Sequence, residues 1–188
     1  MPATNHLQSH SLMKKLGFQP DQRVAIFHAD DVGMCHGANV AFAELSKDGI
    51  INCGAAMVPC PWFTEVVAMA AANPDVDLGV HLTLTSEWRH YRWAPISTTR
   101  RSSGLIDADG YFWHRLPMLA AQVVPEAAEA EMRAQIERAV SAGIDITHLD
   151  SHMGVALLPQ LIDIYIRLGS EYRIPVLLPK HLSEYTSV

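Results

Sequence analysis

Short runs of apolar, often β-branched residues alternate along the chain with longer stretches at helical spacing. Residues 23–28 (RVAIFH) form the first run and stop at Ala29-Asp30-Asp31, which predicts a buried strand with a polar end. Residues 37–47 carry Val40, Ala41, Ala43 and Leu45 at mixed helical spacing and end at Asp48-Gly49. Residues 51–58 predict a second strand, stopped by Pro59-Cys60-Pro61. Residues 62–72 predict a helix ended by Asn73-Pro74, because proline cannot donate to the helical ladder and disfavours a helical residue before it. Residues 77–83 read as a third strand. The strongest helix composition lies at 125–142, with Met132, Ile136 and Val140 four residues apart and Gly143 as the C-cap. Residues 144–149 predict a fourth strand, 157–168 a helix and 174–178 a fifth strand. At the start, residues 1–20 predict a short helix ending near Gly17, with Pro20 closing the segment.

Strands alternating with helices imply an α/β fold with a parallel sheet and right-handed crossovers, here as one domain over residues 1–188. The exception is the stretch 85–116, which carries Trp88, His90, Tyr91, Trp93, Tyr111, Phe112 and Trp113. Within it, Asp107-Ala108-Asp109-Gly110 predicts a hairpin turn between short strands. A loop this long in a compact domain commonly covers or binds a ligand, so the segment is expected to face substrate.

Composition narrows the classes of function. With 188 residues and 49% hydrophobic content, the chain can bury a core without disulfides. Its net charge of −6 leaves no electrostatic footprint for a nucleic acid. The N-terminus lacks the apolar segment of about 7–15 residues that a signal peptide needs. No run reaches the roughly 18 apolar residues of a membrane helix. The three cysteines, Cys35, Cys53 and Cys60, show no metal-type pairing and read as reduced thiols, so a cytoplasmic location is expected. Ten histidines stand against fourteen Lys plus Arg, and their positions are informative.

Asp30 and Asp31 follow predicted strand one, His81 lies near the end of strand three, and Asp150 and His152 follow strand four. In a parallel α/β sheet or barrel those ends share one face, where such folds place active sites. Each residue has an ordinary alternative. An Asp pair can cap a helix, His81 can be a satisfied core histidine, and His148, Asp150 and His152 can form a local polar cluster. Yet the helix after strand one starts beyond Gly33 and Gly37, and adjacent carboxylates repel unless a cation or hydrogen bonds relieve them. His148, Asp150 and His152 also share one parity, so an extended backbone aims all three the same way. One carboxylate and two imidazoles form the mixed N/O set of a catalytic divalent metal. A second carboxylate nearby would serve as general base, so the chemistry expected is metal-assisted hydrolysis.

The string His28-Ala29-Asp30-Asp31-Val32-Gly33, with Gly37 and Asn39 following, resembles the opening motif of the YdjC-like carbohydrate deacetylases. Two further stretches are similar to that family in order and spacing, 78–85 (LGVHLTLT) and 147–152 (THLDSH), and Asn52 with Met57-Val58-Pro59 resembles its second strand. The ordered matches span residues 24–160. The resemblance implies a distorted TIM-like (β/α) barrel related to the polysaccharide deacetylases, incomplete at its C-terminal end, since a closed barrel takes about 250 residues. It implies removal of an N-acetyl group from an amino sugar or oligosaccharide. By the same resemblance Asp31, His81 and His152 match the metal ligands and Asp30 the catalytic base. His148 and Asp150 are placed beside them, orienting a ligand or the base. The cofactor implied is one divalent metal ion: Zn²⁺ or Mg²⁺ foremost, with Co²⁺, Mn²⁺ and Fe²⁺ as alternatives.

The chain departs from the family in two places. Met153-Gly154-Val155 stand where the family commonly has further histidines, and the family's proton-donating His lies late in a longer chain. His181, in Lys180-His181-Leu182-Ser183, does not match that late motif and is not given the role. For a sugar partner, Trp88, Tyr91 and Trp93 are the expected aromatic contacts, followed by Trp62, with hydrophobic core or a subunit contact weighed equally. Three other readings stay open: a hydrolase of another small amide or ester, a non-catalytic sugar- or metal-binding protein, and a purely structural α/β domain. An open barrel end would expose apolar strand edges, which a homo-oligomer or a further segment would cover. Neither nucleic acid nor membrane is an expected partner.

Overall fold

The structure, a computed structural model, describes residues 13–19 and 21–180. Most of the helix expected within residues 1–20 therefore lies outside the described residues, as does His181; a single helical turn stands at 13–15. Four parallel strands form one sheet in chain order: β1 (His28–Val32), β2 (Cys53–Ala56), β3 (Leu78–Leu82) and β4 (Ile146–Ser151). Helix α1 (His36–Lys47) links β1 to β2, and α2 (Phe63–Ala72) links β2 to β3. Between β3 and β4 come α3 (Leu116–Gln122), which the sequence pattern did not predict, and α4 (Pro125–Ser141); α5 (Ile162–Tyr172) follows β4. All five residues of β3 are buried, as expected for a central strand covered on both faces. No described helix is long and apolar enough to cross a membrane.

Four expected elements move; the fourth strand does so by two residues, from 144–149 to Ile146–Ser151, which puts Asp150 inside it rather than after it. The first strand begins at His28 rather than ending there, and Val24, Ile26 and Phe27 are exposed. The ladder decides this: the β2 partner of His28 is Cys53, so residues before 28 have no strand beside them. The expected fifth strand shrinks to one bridge, Leu149 to Val176, because Pro175 and Pro179 have no N–H to donate. The helix expected over 157–168 starts at Ile162 instead; Pro159 holds Leu158 in an extended conformation, and a kinked turn (His152–Leu157) with left-handed backbone at Met153 and Gly154 precedes it.

Helix α4 shows how packing refines a periodicity. Met132, Ile136 and Ala139 are fully buried, whereas Val140 is half exposed, so the stripe steps by four and then three. The same helix buries two polar residues. The Gln135 amide accepts from the Thr83 N–H at 2.9 Å and donates to the Thr83 carbonyl at 2.8 Å and to Glu131 Oε1 at 2.8 Å. Glu131 in turn accepts the backbone N–H groups of Ile96 (3.1 Å) and Ser97 (2.8 Å), so α4 pins both the end of β3 and the following loop. Gln135→Met should strand the buried Thr83 groups and lower stability by about 1–3 kcal/mol, read as a lower denaturant midpoint at unchanged slope.

The long segment after β3 is folded onto the body. Trp93, Leu105, Ile106 and Phe112 are buried, and the expected hairpin is present as an antiparallel Ile106–Phe112 bridge around the Asp107–Gly110 turn. Asp107 closes that turn by accepting the Asp109 N–H at 2.9 Å and anchors it through Arg92 at 2.8 Å.

Candidate metal and catalytic site

Strand β1 slips register against β2 between Ala29 and Val32, and Asp31 in that irregularity has φ +59°. A left-handed backbone is uncommon outside glycine but tolerated by Asp, and such irregularities re-aim side chains. Here Asp31 Oδ1 lies 3.0 Å from His152 Nδ1 and 3.3 Å from His81 Nε2. The loop after β1 is tied down by buried Asn39, which accepts the Gly33 N–H at 2.6 Å and donates to Glu65 at 2.7 Å.

His81 and Asp150 are directly paired across β3 and β4. His81 Nδ1 lies 2.9 Å from Asp150 Oδ2, outside the angular range of a straight hydrogen bond. His152 Nε2 lies 2.9 Å from Glu87 Oε2. Each imidazole thus has one nitrogen beside Asp31 and the other on a second carboxylate. One donor atom from each of Asp31, His81 and His152 falls within 4.8 Å of the others. That donor set fits a divalent metal, and carboxylates behind both imidazoles are the usual means of setting a ligand histidine's tautomer and ring orientation.

The electrostatics run the same way. Burial raises the Asp31 carboxyl, but hydrogen bonds from His152 and His81 outweigh it and hold the group well below the usual carboxylate range. Burial lowers His81, yet Asp150 and Asp31 push it up to about 9. Burial likewise opposes a charged His152, while Asp31 and Glu87 raise it, and Glu87 itself is lowered against burial by His152. Three carboxylates around two buried imidazoles make a pocket that favours added positive charge.

Asp30, next to Asp31, keeps its side chain largely exposed and accepts from His28 Nδ1 at 2.8 Å. His148 makes no hydrogen bond or ion pair with the three clustered residues; its Nε2 meets His28 Nε2 at 2.8 Å, and His28 in turn bonds Asp30. The sequence pattern did not single out Glu87 or His28 as site residues. Glu87 lies in the loop beyond the end of β3 at Leu82, where the alternation of a strand no longer fixes which way a side chain points, so no local signal marked it.

The aromatics separate by exposure. Trp88 is 56% exposed, and Trp62 is 40% exposed with its ring 5.0 Å from that of His36. Tyr91 is half-buried and donates its hydroxyl to the Met34 carbonyl. Trp93, expected among the sugar contacts, is instead buried: its indole N–H donates to the Thr85 carbonyl at 2.8 Å, and its ring stands 6.2 Å from that of His152. It supports a site residue from behind rather than offering a face to solvent.

Comparison with known proteins finds relatives of the chain. The chain is 37% identical over 171 residues to a carbohydrate deacetylase of Thermus thermophilus, covering 91% of this chain and 59% of that protein. It is 36% identical over 154 residues to a carbohydrate deacetylase of Brevibacillus brevis, covering 82% of this chain and 58% of that one. A crystal structure of a proposed cellobiose-phosphate cleavage protein from Enterococcus faecalis V583 superposes with a TM-score of 0.75 at 28% identity, covering 85% of this chain and 61% of that one. The chain therefore spans less than two thirds of the length of these relatives. The YdjC-like protein family matches residues 24–187, a range that holds all four strands, Asp31, His81 and His152. The chain belongs to the YdjC-like protein family.

Proposed function

We propose that this chain carries the metal-binding part of a carbohydrate deacetylase site and acts in hydrolysing an N-acetyl group from an amino sugar or oligosaccharide. The observation that carries the reading is the convergence of Asp31, His81 and His152 from three strand ends, with Asp30 beside them. Asp31, His81 and His152 would hold the ion, whose contribution when bound is to polarise the acetamide carbonyl and acidify water. Asp150 and Glu87 keep the two imidazoles in ligating orientation. Asp30, oriented by His28, takes the proton of the attacking water as the acyl carbon becomes tetrahedral. Cleavage of the C–N bond then releases acetate and an amine that needs one proton, which Asp30 can return. Trp62 and Trp88 offer the exposed ring faces on which a pyranose would pack.

Strand order that follows chain order, with residue 176 continuing beyond β4, supports reading the sheet as an arc of a TIM-like barrel within one domain. Three free cysteines support a cytoplasmic setting.

The test is acetate release from N-acetylated amino-sugar monomers and oligomers, before and after chelation and with Zn²⁺ or Mg²⁺ restored. Release that stops on chelation and returns with metal is expected; release indifferent to chelator overturns the reading. Glu87→Gln should weaken metal affinity about 10–100-fold while leaving the thermal midpoint near that of the unaltered chain, because it loosens His152 without removing a ligand. Equilibrium dialysis with a chelator competitor measures it.

A further inference from the structure

We propose that His28, His148 and Cys53 form a second cation site, sharing no residue with the Asp31–His81–His152 group and selective for a borderline or soft ion such as Zn²⁺. The three residues come from β1, β4 and β2, and one donor atom of each lies within 4.8 Å of the others. The sheet makes room for them. Ala55 of β2 and Gly79 of β3 are paired neighbours, and a Cβ on Gly79 would come within 2.5 Å of His148 Nε2. With only small residues between, the rings of His28 and His148 reach across the two central strands until their Nε2 atoms are 2.8 Å apart.

The hydrogen bonds on the far sides of both rings define what those two nitrogens carry. His28 Nδ1 lies 2.8 Å from Asp30 and 3.9 Å from Asp150, both acceptors only, so Nδ1 bears the proton. Thr147 donates its hydroxyl proton to Asp77, so its oxygen can only accept from His148 Nδ1 at 2.8 Å. In the neutral rings both Nε2 atoms then present lone pairs to each other. Such a pair needs either one shared proton or a cation, and the Cys53 sulfur as a third donor favours the cation. Two imidazoles and a thiolate suit Zn²⁺ or copper and not Mg²⁺, which requires oxygen. Burial and then His28 lower the His148 pKa, as suits a neutral ligand. Burial, then Asp77 and Asp150, raise the Cys53 thiol, so binding forms a metal–sulfur bond, breaks S–H and releases that proton to solvent.

Titration of the full chain with Co²⁺ tests this independently of any deacetylase activity. A thiolate-to-cobalt charge-transfer band should grow in, because the Asp31 group contains no sulfur, and about two equivalents should bind in total. Cys53→Ser and His148→Ala should each remove the band and one equivalent, whereas Asp31→Asn should keep the band and lose the other equivalent. No band in the unaltered chain, or a band that survives Cys53→Ser, overturns the proposal and leaves the two histidines sharing a proton.

Discussion

Asp31→Asn is expected to cut acetate release by about 10³-fold or more, on the order of 4 kcal/mol of transition-state stabilisation, while leaving the fold in place. Asparagine keeps the volume of the side chain and tolerates the left-handed backbone that residue 31 adopts, so the β1 irregularity survives. What is lost is the anionic oxygen shared by His81 and His152. Without it the two imidazoles keep only Asp150 and Glu87, which lie on their far sides. Metal content by elemental analysis should fall together with activity. Asp30→Asn separates the roles: metal should stay bound, because the Asp30 side chain hydrogen-bonds His28 and none of the three clustered side chains, while activity drops by about 10²–10⁴-fold as the general base disappears. If Asp30→Asn kept full activity, the base assignment would be lost and the metal site would stand.

Which parts of this site could be read from the chain follows from how local their causes are. Helices α1, α2 and α4 fall within a residue or so of the pattern's expectation because capping, proline placement and apolar spacing act over a few residues. Strand β1 did not, because a strand extends only as far as its neighbour, and Cys53 sets that limit from another part of the chain. The same contrast holds among the site residues. Asp31, His81 and His152 stood out because each sits where an apolar run ends, and parallel topology gathers such ends. The contacts that organise them are not local: Glu87 meets His152 across 65 positions and His28 meets His148 across 120. A lone glutamate in a loop, or a histidine closing an apolar run, carries no mark of a partner that far away. Trp93 shows the converse, since its aromatic loop looked like ligand surface, but packing turned its ring inward against the site.

Gly104→Ala is expected to give the largest loss of stability, about 3–5 kcal/mol, from two additive causes. Gly104 has φ +70°, where a Cβ costs roughly 1–2 kcal/mol through contact with the following carbonyl. Its backbone also passes directly against the end of α3, so an added Cβ would collide with the Gln122 carbonyl and crowd Val123. Those are backbone atoms, which cannot rotate away as a flexible side chain would. The segment cannot simply lift off either. The Gly104 carbonyl accepts the Trp113 indole N–H at 2.9 Å, and the neighbouring Ser103 carbonyl accepts the Val124 N–H at 3.2 Å. Relief of the collision would therefore pull on buried Leu105 and on the junction between α3 and α4. Gly110→Ala isolates the first cause: Gly110 has φ +86° with no atom within 4 Å of an added Cβ, so only about 1–2 kcal/mol should be lost. For a chain of this size each kcal/mol moves the thermal midpoint by roughly 2–4 °C, so calorimetry should place Gly104→Ala well below Gly110→Ala. Equal midpoints for the two variants would mean that the loop does not rest on the α3–α4 junction as the structure has it.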